Sequence, residues 1–304
     1  MITMNKTPAC PWFSYLEEHP LYSSLPYRHI TANCRELGFI IADCLNNFSQ
    51  IFGAPVEIYD KVIMPDHIHF ILRVTSNLER HLSDYLYFFK NKVYDIAIER
   101  ALIPNGSNPI FEYGYNDQFL THDRSLDVLK KYIRNNPYNL WVRSKNPLFF
   151  ERRVIEIKGE ACQSYGNHTF LENPFIFPVI FHRKYKNEMK TWEKLKRNFD
   201  YVIDNGGVIA SAFVNEREKE IFKAAIQRGG KIIYFSNNFL EDRAKPSGEI
   251  YELCKRGQML RLSPMAFKGQ NHKKSPGELR QDCLLMNRIT ERLSTHEKNR
   301  GALS

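Results

Sequence analysis

Val62-Ile63-Met64-Pro65-Asp66-His67-Ile68-His69-Phe70-Ile71-Leu72 is the stretch on which the reading of this chain turns. It is apolar and rich in β-branched residues, the composition of a buried strand. Two imidazoles interrupt it at i and i+2. Side chains alternate across a strand, so His67 and His69 share one face while Ile68 enters the opposite layer. Two neutral nitrogens side by side are a usual way to hold a divalent metal. The plainer alternatives are one functional and one packing histidine, or two histidines facing solvent.

Working outward, Val56–Tyr59 and Lys61–Val74 read as two antiparallel strands, the second carrying the His pair. Before them, Glu36–Phe52 has helical apolar spacing, ended by Gly53 and Pro55. Tyr27–Thr31 reads as a short strand, and residues 1–24, with Pro8, Pro11 and Pro20, as irregular. After the His pair, Leu78–Ala101 reads as a long amphipathic helix and Phe111–Thr121 as extended chain. Then comes Ser125-Leu126-Asp127-Val128-Leu129-Lys130-Lys131-Tyr132-Ile133-Arg134-Asn135-Asn136-Pro137. Leu126, Leu129 and Ile133 fit one helix, with Ser125 or Asp123 as its N-cap. Pro137 disfavours helical geometry at Asn136 and predicts the helix end there. Tyr132 and Asn136 are one turn apart and share a face. Taken alone, such a tyrosine is ordinarily a packing residue with its hydroxyl at the surface.

Composition bounds the function. A chain of 304 residues has room for about two domains. No apolar run approaches the roughly 20 residues of a membrane helix, and the N-terminus lacks the charged-then-apolar order of a signal peptide, so a cytoplasmic address is expected. The six cysteines are scattered without a Cys-x-x-Cys pair, which favours reduced packing thiols over disulfides or a zinc ribbon. The net charge of +9 favours a polyanionic partner. Charges nearly balance as far as Ile155, and most of the excess follows it.

Met-Pro-Asp-His-Ile-His, followed about 65 residues later by Tyr-Ile-Arg-Asn-Asn-Pro, resembles the HUH single-tyrosine transposases of small insertion sequences and their repeat-associated relatives. The resemblance covers about residues 25–145. It implies that His67 and His69 bind a divalent metal, that Asn136 completes the metal shell, and that Tyr132 is the nucleophile. It further implies Mg²⁺ or Mn²⁺ as cofactor and hairpin-bearing single-stranded DNA as partner, with no membrane role and a homodimer allowed. Lys90, Lys92, Arg124, Lys130, Lys131 and Arg134 are candidate DNA contacts, taken collectively, since an exposed helix lysine is usually just solvated. Asp66 either orients a ligand histidine or caps a turn.

The residue types suit that chemistry. A phenol of ordinary pKa near 10 is only about one part in a thousand phenolate at pH 7, so its ionisation needs help from cations or metal-bound water. Three protein ligands and open water positions suit Mg²⁺ or Mn²⁺ better than a closed zinc cage.

The second half reads differently. Residues 146–175 have the composition of a linker, with Pro147, Gly159, Gly166 and Pro174. Strand-like Phe177–Phe181, Gly207–Phe213, Lys231–Phe235 and Met259–Leu262 then alternate with helix-like Glu188–Ile203, Glu216–Arg228 and Glu249–Arg256. Asn215 is the expected N-cap of the second helix, with Glu218 at the capping-box position. Alternation implies right-handed crossovers and a parallel sheet, with Ser211 and Ser236-Asn237 at strand ends lining a crevice. Gly-Gly-Val-Ile-Ala-Ser-Ala-Phe, the helix to Gly230 and Ile232-Ile233 weakly resemble the Rossmann-like domain of DNA-processing protein A and the lonely-guy proteins. Their Pro-Gly-Gly-x-Gly-Thr phosphate loop is absent, which argues against catalysis there.

The expected architecture is therefore α+β. A ferredoxin-like antiparallel sheet with helices forms an HUH nuclease domain over 1–145. A linker over 146–175, a small Rossmann-like α/β accessory domain over 176–267, and a basic helix and tail over 268–304 follow it. The expected function is a metal-dependent single-stranded DNA endonuclease and strand transferase of transposase type, acting through a 5′-phosphotyrosine. Alternatives are a domesticated repeat-processing relative with the same chemistry, a catalytically dead DNA-binding regulator, and a zinc hydrolase using the His pair.

Overall fold

The computed structural model describes residues 1–19, 30–120, 123–181, 188–241, 246, 248–270 and 273–293, without the side chains of 123–125 and 188. The chain is mixed α and β and divides into two compact units, Met1–Val142 and Arg143–Ser304.

The first unit contains β1 (Ile2–Asn5), β2 (Ser14–Glu18), β3 (Ile30–Cys34), α1 (Glu36–Asn46), α2 (Phe48–Phe52), β4 (Val56–Ile63), β5 (His67–Val74), α3 (Leu82–Glu99), β6 (Asn116–Asp117) and α4 (Asp123–Lys145). Four of the strands form an antiparallel sheet in the order β4-β5-β1-β6, and β2 and β3 pair as a separate ribbon. Ile2 and Met4 of β1 pair with Phe70 and Ile68 of β5, and all four point into one core. Ile41 and Leu45 of α1 and Leu86, Phe89 and Val93 of α3 close that core. Gly38 lets α1 approach the ribbon, because a Cβ there would lie 2.1 Å from the Phe13 carbonyl oxygen.

The residues between face the other way. Thr3 lies opposite His69, Asn5 opposite His67, and Val62 opposite His69 on the far side. Over this face α4 lays Leu129 and Ile133 against Ile71. Burying those two side chains stabilises the docking by about 1.5–3 kcal/mol each.

Several local expectations change in the folded chain. Residues 1–24 are not all irregular: β1 is an interior strand of the sheet, and Ser14–Glu18 pairs with β3. The alternation Ile2-Thr3-Met4-Asn5 is the sequence trace of β1, too short to outweigh the prolines that follow. Of the Tyr27–Thr31 strand, Ile30 and Thr31 lie in β3 and the rest falls outside the described residues. Of Phe111–Thr121, the described residues form the two-residue strand β6 and a bridge between Phe111 and Lys6, and Thr121 lies outside them. Helix α4 does not end at Asn136. It runs through buried Pro137 to Lys145. Proline has no N–H for the Ile133 carbonyl, so one rung of the ladder is lost, but helix continues on both sides of it.

The second unit contains β7 (Glu151–Ile157), β8 (Glu160–Gly166), β9 (Ile176–Pro178), α5 (Glu188–Asp204), β10 (Val208–Ser211), α6 (Glu216–Gln227), β11 (Lys231–Phe235), α7 (Gly248–Lys255), β12 (Met259–Pro264) and α8 (Pro276–Leu293). They build one sheet in the order β7-β8-β12-β11-β10-β9. The strands β9 to β12 are mutually parallel, and β8 joins β12 antiparallel, with β7 outside it. Each of α5, α6 and α7 connects one parallel strand to its next neighbour in a constant direction. Crossovers of one hand then put all three helices on one face, where Phe199, Ile221 and Leu253 pack with Ile209 and Ile232. On the other face Met286 and Ile289 of α8 cover Ala210, Ile233 and Leu262.

Residues 146–175 are thus folded chain, not a linker. The β7–β8 hairpin within them is hydrogen-bonded into the sheet, and the glycines that suggested flexibility serve geometry. Gly166, at φ +125°, sits where a Cβ would come within 2.2 Å of the Met259 carbonyl oxygen. Nor is 276–293 an appendage, since the sheet's second face would be bare without α8; residues 294–304 lie outside the description. Ser211 and Ser236, expected to line a crevice at a reversal of strand order, are held in local hydrogen bonds among the described residues. The parallel strands never reverse order, so there is no switch point. Ser211 Oγ accepts from the Phe213 N–H, and Ser236 Oγ serves the turn to Asn238 and accepts from Arg261. Asn215 caps α6 as expected, accepting from the Glu218 N–H at 2.9 Å. Glu218 does not reach back to Asn215; its buried carboxylate accepts from the N–H groups of Phe181 and Val214. All six cysteines are free. Among the described residues no helix is long and apolar enough to cross a membrane.

Candidate metal and nucleophile site

Strand β5 presents His67, His69, Ile71 and Arg73 on the face that α4 covers, as period-two alternation requires. The His67 and His69 rings lie 4.7 Å apart, centroid to centroid, at 77°. The ring of Tyr132 on α4 lies 5.4 Å from that of His69, edge to face. Ile133, the next residue of α4, is buried, whereas Tyr132 remains 40% exposed. A helix residue at the border of the packed stripe can thus both touch the His pair and stay open to solvent.

Asn136 lies one turn beyond Tyr132 on the same helix and is buried. Its Nδ2 donates to the Tyr132 carbonyl at 3.1 Å, which orients the amide. Leu129 packs near Ile71 and Tyr132 near His69, so α4 runs opposite to β5. Four helical residues advance about 6 Å, and two strand residues advance about 6.6 Å. Asn136 is therefore carried toward the His67 end of the pair.

Both histidines have a partner at Nδ1. Asp66 Oδ1 lies 2.6 Å from His67 Nδ1, and Thr3 Oγ1 lies 2.8 Å from His69 Nδ1. With Nδ1 engaged, Nε2 is the nitrogen through which each ring would ligate a metal, the usual arrangement of ligand histidines. Asp66 accordingly orients His67, the first of its two sequence readings. Among the described residues no group of three His, Cys, Asp or Glu side chains converges as a metal cage. The residues that could hold a metal here are the imidazole pair, with the amide oxygen of Asn136 as a candidate third donor. That donor set is mixed and incomplete, and would leave positions for water and substrate oxygens.

The cationic candidates separate by location. Lys130, Lys131 and Arg134 share α4 with Tyr132. Arg134 Nε lies 3.4 Å from Asp60 Oδ2, and Lys130 Nζ lies 5.6 Å from the centre of the Tyr59 ring, so both tie α4 to β4. Lys131 is exposed. Lys90 and Lys92 sit on α3, whose apolar stripe packs on the opposite face of the sheet from the His pair. Lys90 donates to the carbonyls of Glu112 and Gly114, and burial pushes its pKa down. Lys92 is exposed. The side chain of Arg124 and the whole of His122 lie outside the described residues, as do the N-cap side chains Asp123 and Ser125.

Sequence reasoning did not single out Thr3 or Tyr59. Thr3 was traceable only through the Ile-Thr-Met-Asn alternation. The second unit holds a serine, histidine and glutamate together: Ser164 Oγ lies 2.7 Å from His168 Nε2, and His168 Nδ1 lies 3.8 Å from Glu151. This is no nucleophile. Ser164 is fully buried and donates its proton to the Arg153 carbonyl. Burial and the nearby Arg153 charge hold His168 below its ordinary pKa.

No protein-family model matches the chain. No curated protein matches it either.

Proposed function

We propose that the first unit is a metal-dependent single-stranded DNA endonuclease and strand transferase that works through a tyrosine–DNA adduct. One observation carries this reading: Tyr132 stands 5.4 Å, ring to ring, from His69, which is itself 4.7 Å from His67. Residues from elements some 65 positions apart converge, and the phenol is the exposed member of the group. In this reading the first unit is a ferredoxin-like HUH fold and the second a Rossmann-like accessory domain. The antiparallel sheet carrying the His pair and the run of parallel strands are what support it.

The chemistry follows from the side chains. Tyr132 loses its phenolic proton and its oxygen bonds to phosphorus. The bond from phosphorus to the 3′ oxygen breaks, and that oxygen takes a proton to become a free 3′-OH. The DNA 5′ end remains on Tyr132, so the bond energy is kept and the reverse step on another strand needs no ATP. His67, His69 and Asn136 would hold Mg²⁺ or Mn²⁺. When bound, the ion supplies charge neutralisation at the phosphate oxygens. Asp66 and Thr3 hold the rings in place, and Lys130 and Lys131 add positive charge beside the nucleophile. The proposed partner is single-stranded DNA carrying a hairpin, and the net charge of +9 suits it.

Labelled single-stranded oligonucleotides, Mn²⁺ or Mg²⁺ and a denaturing gel test the proposal. The protein should acquire a covalent DNA label that Tyr132→Phe abolishes while DNA binding persists. An adduct surviving in Tyr132→Phe would overturn the assignment. Cleavage surviving without any adduct would point instead to a hydrolase using the same histidines.

A further inference from the structure

We infer that the cleft beside Tyr59 is a subsite for one unpaired base of single-stranded DNA, next to the phosphate that Tyr132 attacks. The inference rests on the nuclease reading above and names where its substrate lies.

The starting point is a fault in the sheet. In the β4–β5 ladder Ile58 pairs with Leu72 and Asp60 pairs with Ile71, so Tyr59 is an extra residue on one strand, a β-bulge. A regular strand sends neighbouring side chains to opposite faces; a bulge re-aims one of them, and bulges gather beside active sites. Here Tyr59 and Asp60 both turn to the face that α4 covers. Arg73 Nη1 donates to the Tyr59 hydroxyl at 2.7 Å, and Lys130 lies over the ring at 5.6 Å. Asp60 meets Arg134, one turn beyond Lys130 on α4. The tyrosine is fixed at its hydroxyl yet 41% exposed.

Beside it opens a cleft of about 620 Å³, lined by Tyr59, Ile71, Arg73, Phe119 and Leu126 among others. That lies within the roughly 300–1,000 Å³ of small-molecule sites. Its rim carries Phe119, 84% exposed. Aromatic faces with cations beside them are how proteins grip single strands without reading sequence: bases stack and cations meet the backbone. Asp117 also lines the cleft and would repel a phosphate inside it, so the base goes in and the backbone stays near Arg73 and Lys130. A paired base is stacked on both sides and has no free face to offer. Leu126, on the cleft wall, precedes Tyr132 by six helical residues, about 9 Å, a gap that a nucleotide or two bridges.

The test measures binding by the full-length Tyr132→Phe protein, so that cleavage does not intervene. The probe is a fluorescent single-stranded oligonucleotide with one abasic position moved along it. One position, within about two nucleotides of the cleavage site, should weaken binding about ten-fold, inside the range of a lost base–aromatic stack. Tyr59→Ala should weaken the intact oligonucleotide similarly and erase the penalty at that position, while Tyr59→Phe keeps most of it. Phe119→Ala, at a site too exposed to affect folding, should reduce the same penalty. Penalties that add instead of merging, a Tyr59→Ala protein that binds normally, or no saturable binding would overturn the subsite. The two readings fail separately. A Tyr132 adduct with an indifferent Tyr59 leaves the nuclease without the subsite, and a position-specific penalty without any adduct leaves the subsite without the nuclease.

Discussion

Thr3 holds His69 by a 2.8 Å contact at Nδ1, from a strand that pairs directly with β5. For Nε2 to ligate a metal, Nδ1 must carry the proton, so each ring donates: His67 to Asp66 and His69 to Thr3 Oγ1. The two supports differ in environment. Asp66 is half exposed and its carboxylate is screened by water, whereas His69 is buried and its hydroxyl partner is the one that fixes a ring away from solvent. Thr3→Val keeps the shape and the β-branching and removes only the acceptor. It should lower Mn²⁺ affinity about ten-fold, the lower end for lost partners of ligand histidines, and cost only about 1 kcal/mol of stability. Calorimetric titration with Mn²⁺ beside a urea unfolding curve separates the two; unchanged affinity would mean that Thr3 does not set the ring. At this scale the sequence pointed to the candidate ligands and to one support, Asp66, and was silent about the other. His67 and His69 announce themselves by spacing within one strand, but Thr3 is recognisable only once β1 is known to lie beside β5.

Helix α4 brings Tyr132 and Asn136 to the sheet, and part of its docking is visible in named contacts. Leu129 and Ile133 are buried against Ile71, and Lys130 and Arg134 reach Tyr59 and Asp60. The Arg134–Asp60 pair is open to solvent on its arginine side and contributes at most about 1 kcal/mol, less than the burial of Leu129 and Ile133. Ile133→Ala should cost about 2–4 kcal/mol by the usual cavity and transfer terms. If Tyr132 is the nucleophile as proposed, the substitution should slow adduct formation more than it weakens DNA binding, because it loosens the element that carries Tyr132. Urea unfolding and a single-turnover adduct time course check this; an adduct rate equal to the parent's would show that α4 is placed by something else. The helix was readable from Leu126, Leu129 and Ile133 because a 3.6-residue period is local. Its end was not. Pro137 predicts a stop from local sterics, and the loss of one hydrogen bond is outweighed in the folded chain, where Pro137 and Val142 are buried.

At the scale of the molecule, every residue of the candidate site lies in the first unit, and the excess positive charge falls largely in the second. A fragment of residues 1–146, cut beyond the end of α4, should therefore still form the Tyr132 adduct, with weaker and less salt-sensitive DNA binding than the full chain. Gel analysis of the fragment, with binding measured at two salt concentrations, tests this; a folded fragment without an adduct would assign the second unit a part in catalysis. What the sequence determined by itself was periodicity: which histidines share a face, which turn of helix bears Tyr132 and Asn136, and which segments of the second half alternate as strand and helix. What only the tertiary structure decided was partnership. It placed β1 beside β5, put the bulge at Tyr59, folded 151–166 into a hairpin on the parallel strands, laid α8 over the second face, and set Lys90 across the sheet from the histidines. The physical reason is range. Alternation and helical spacing arise from neighbours along the chain, whereas strand pairing and burial are settled by residues as far apart as Ile2 and Asp117, whose competition for one core no local pattern records.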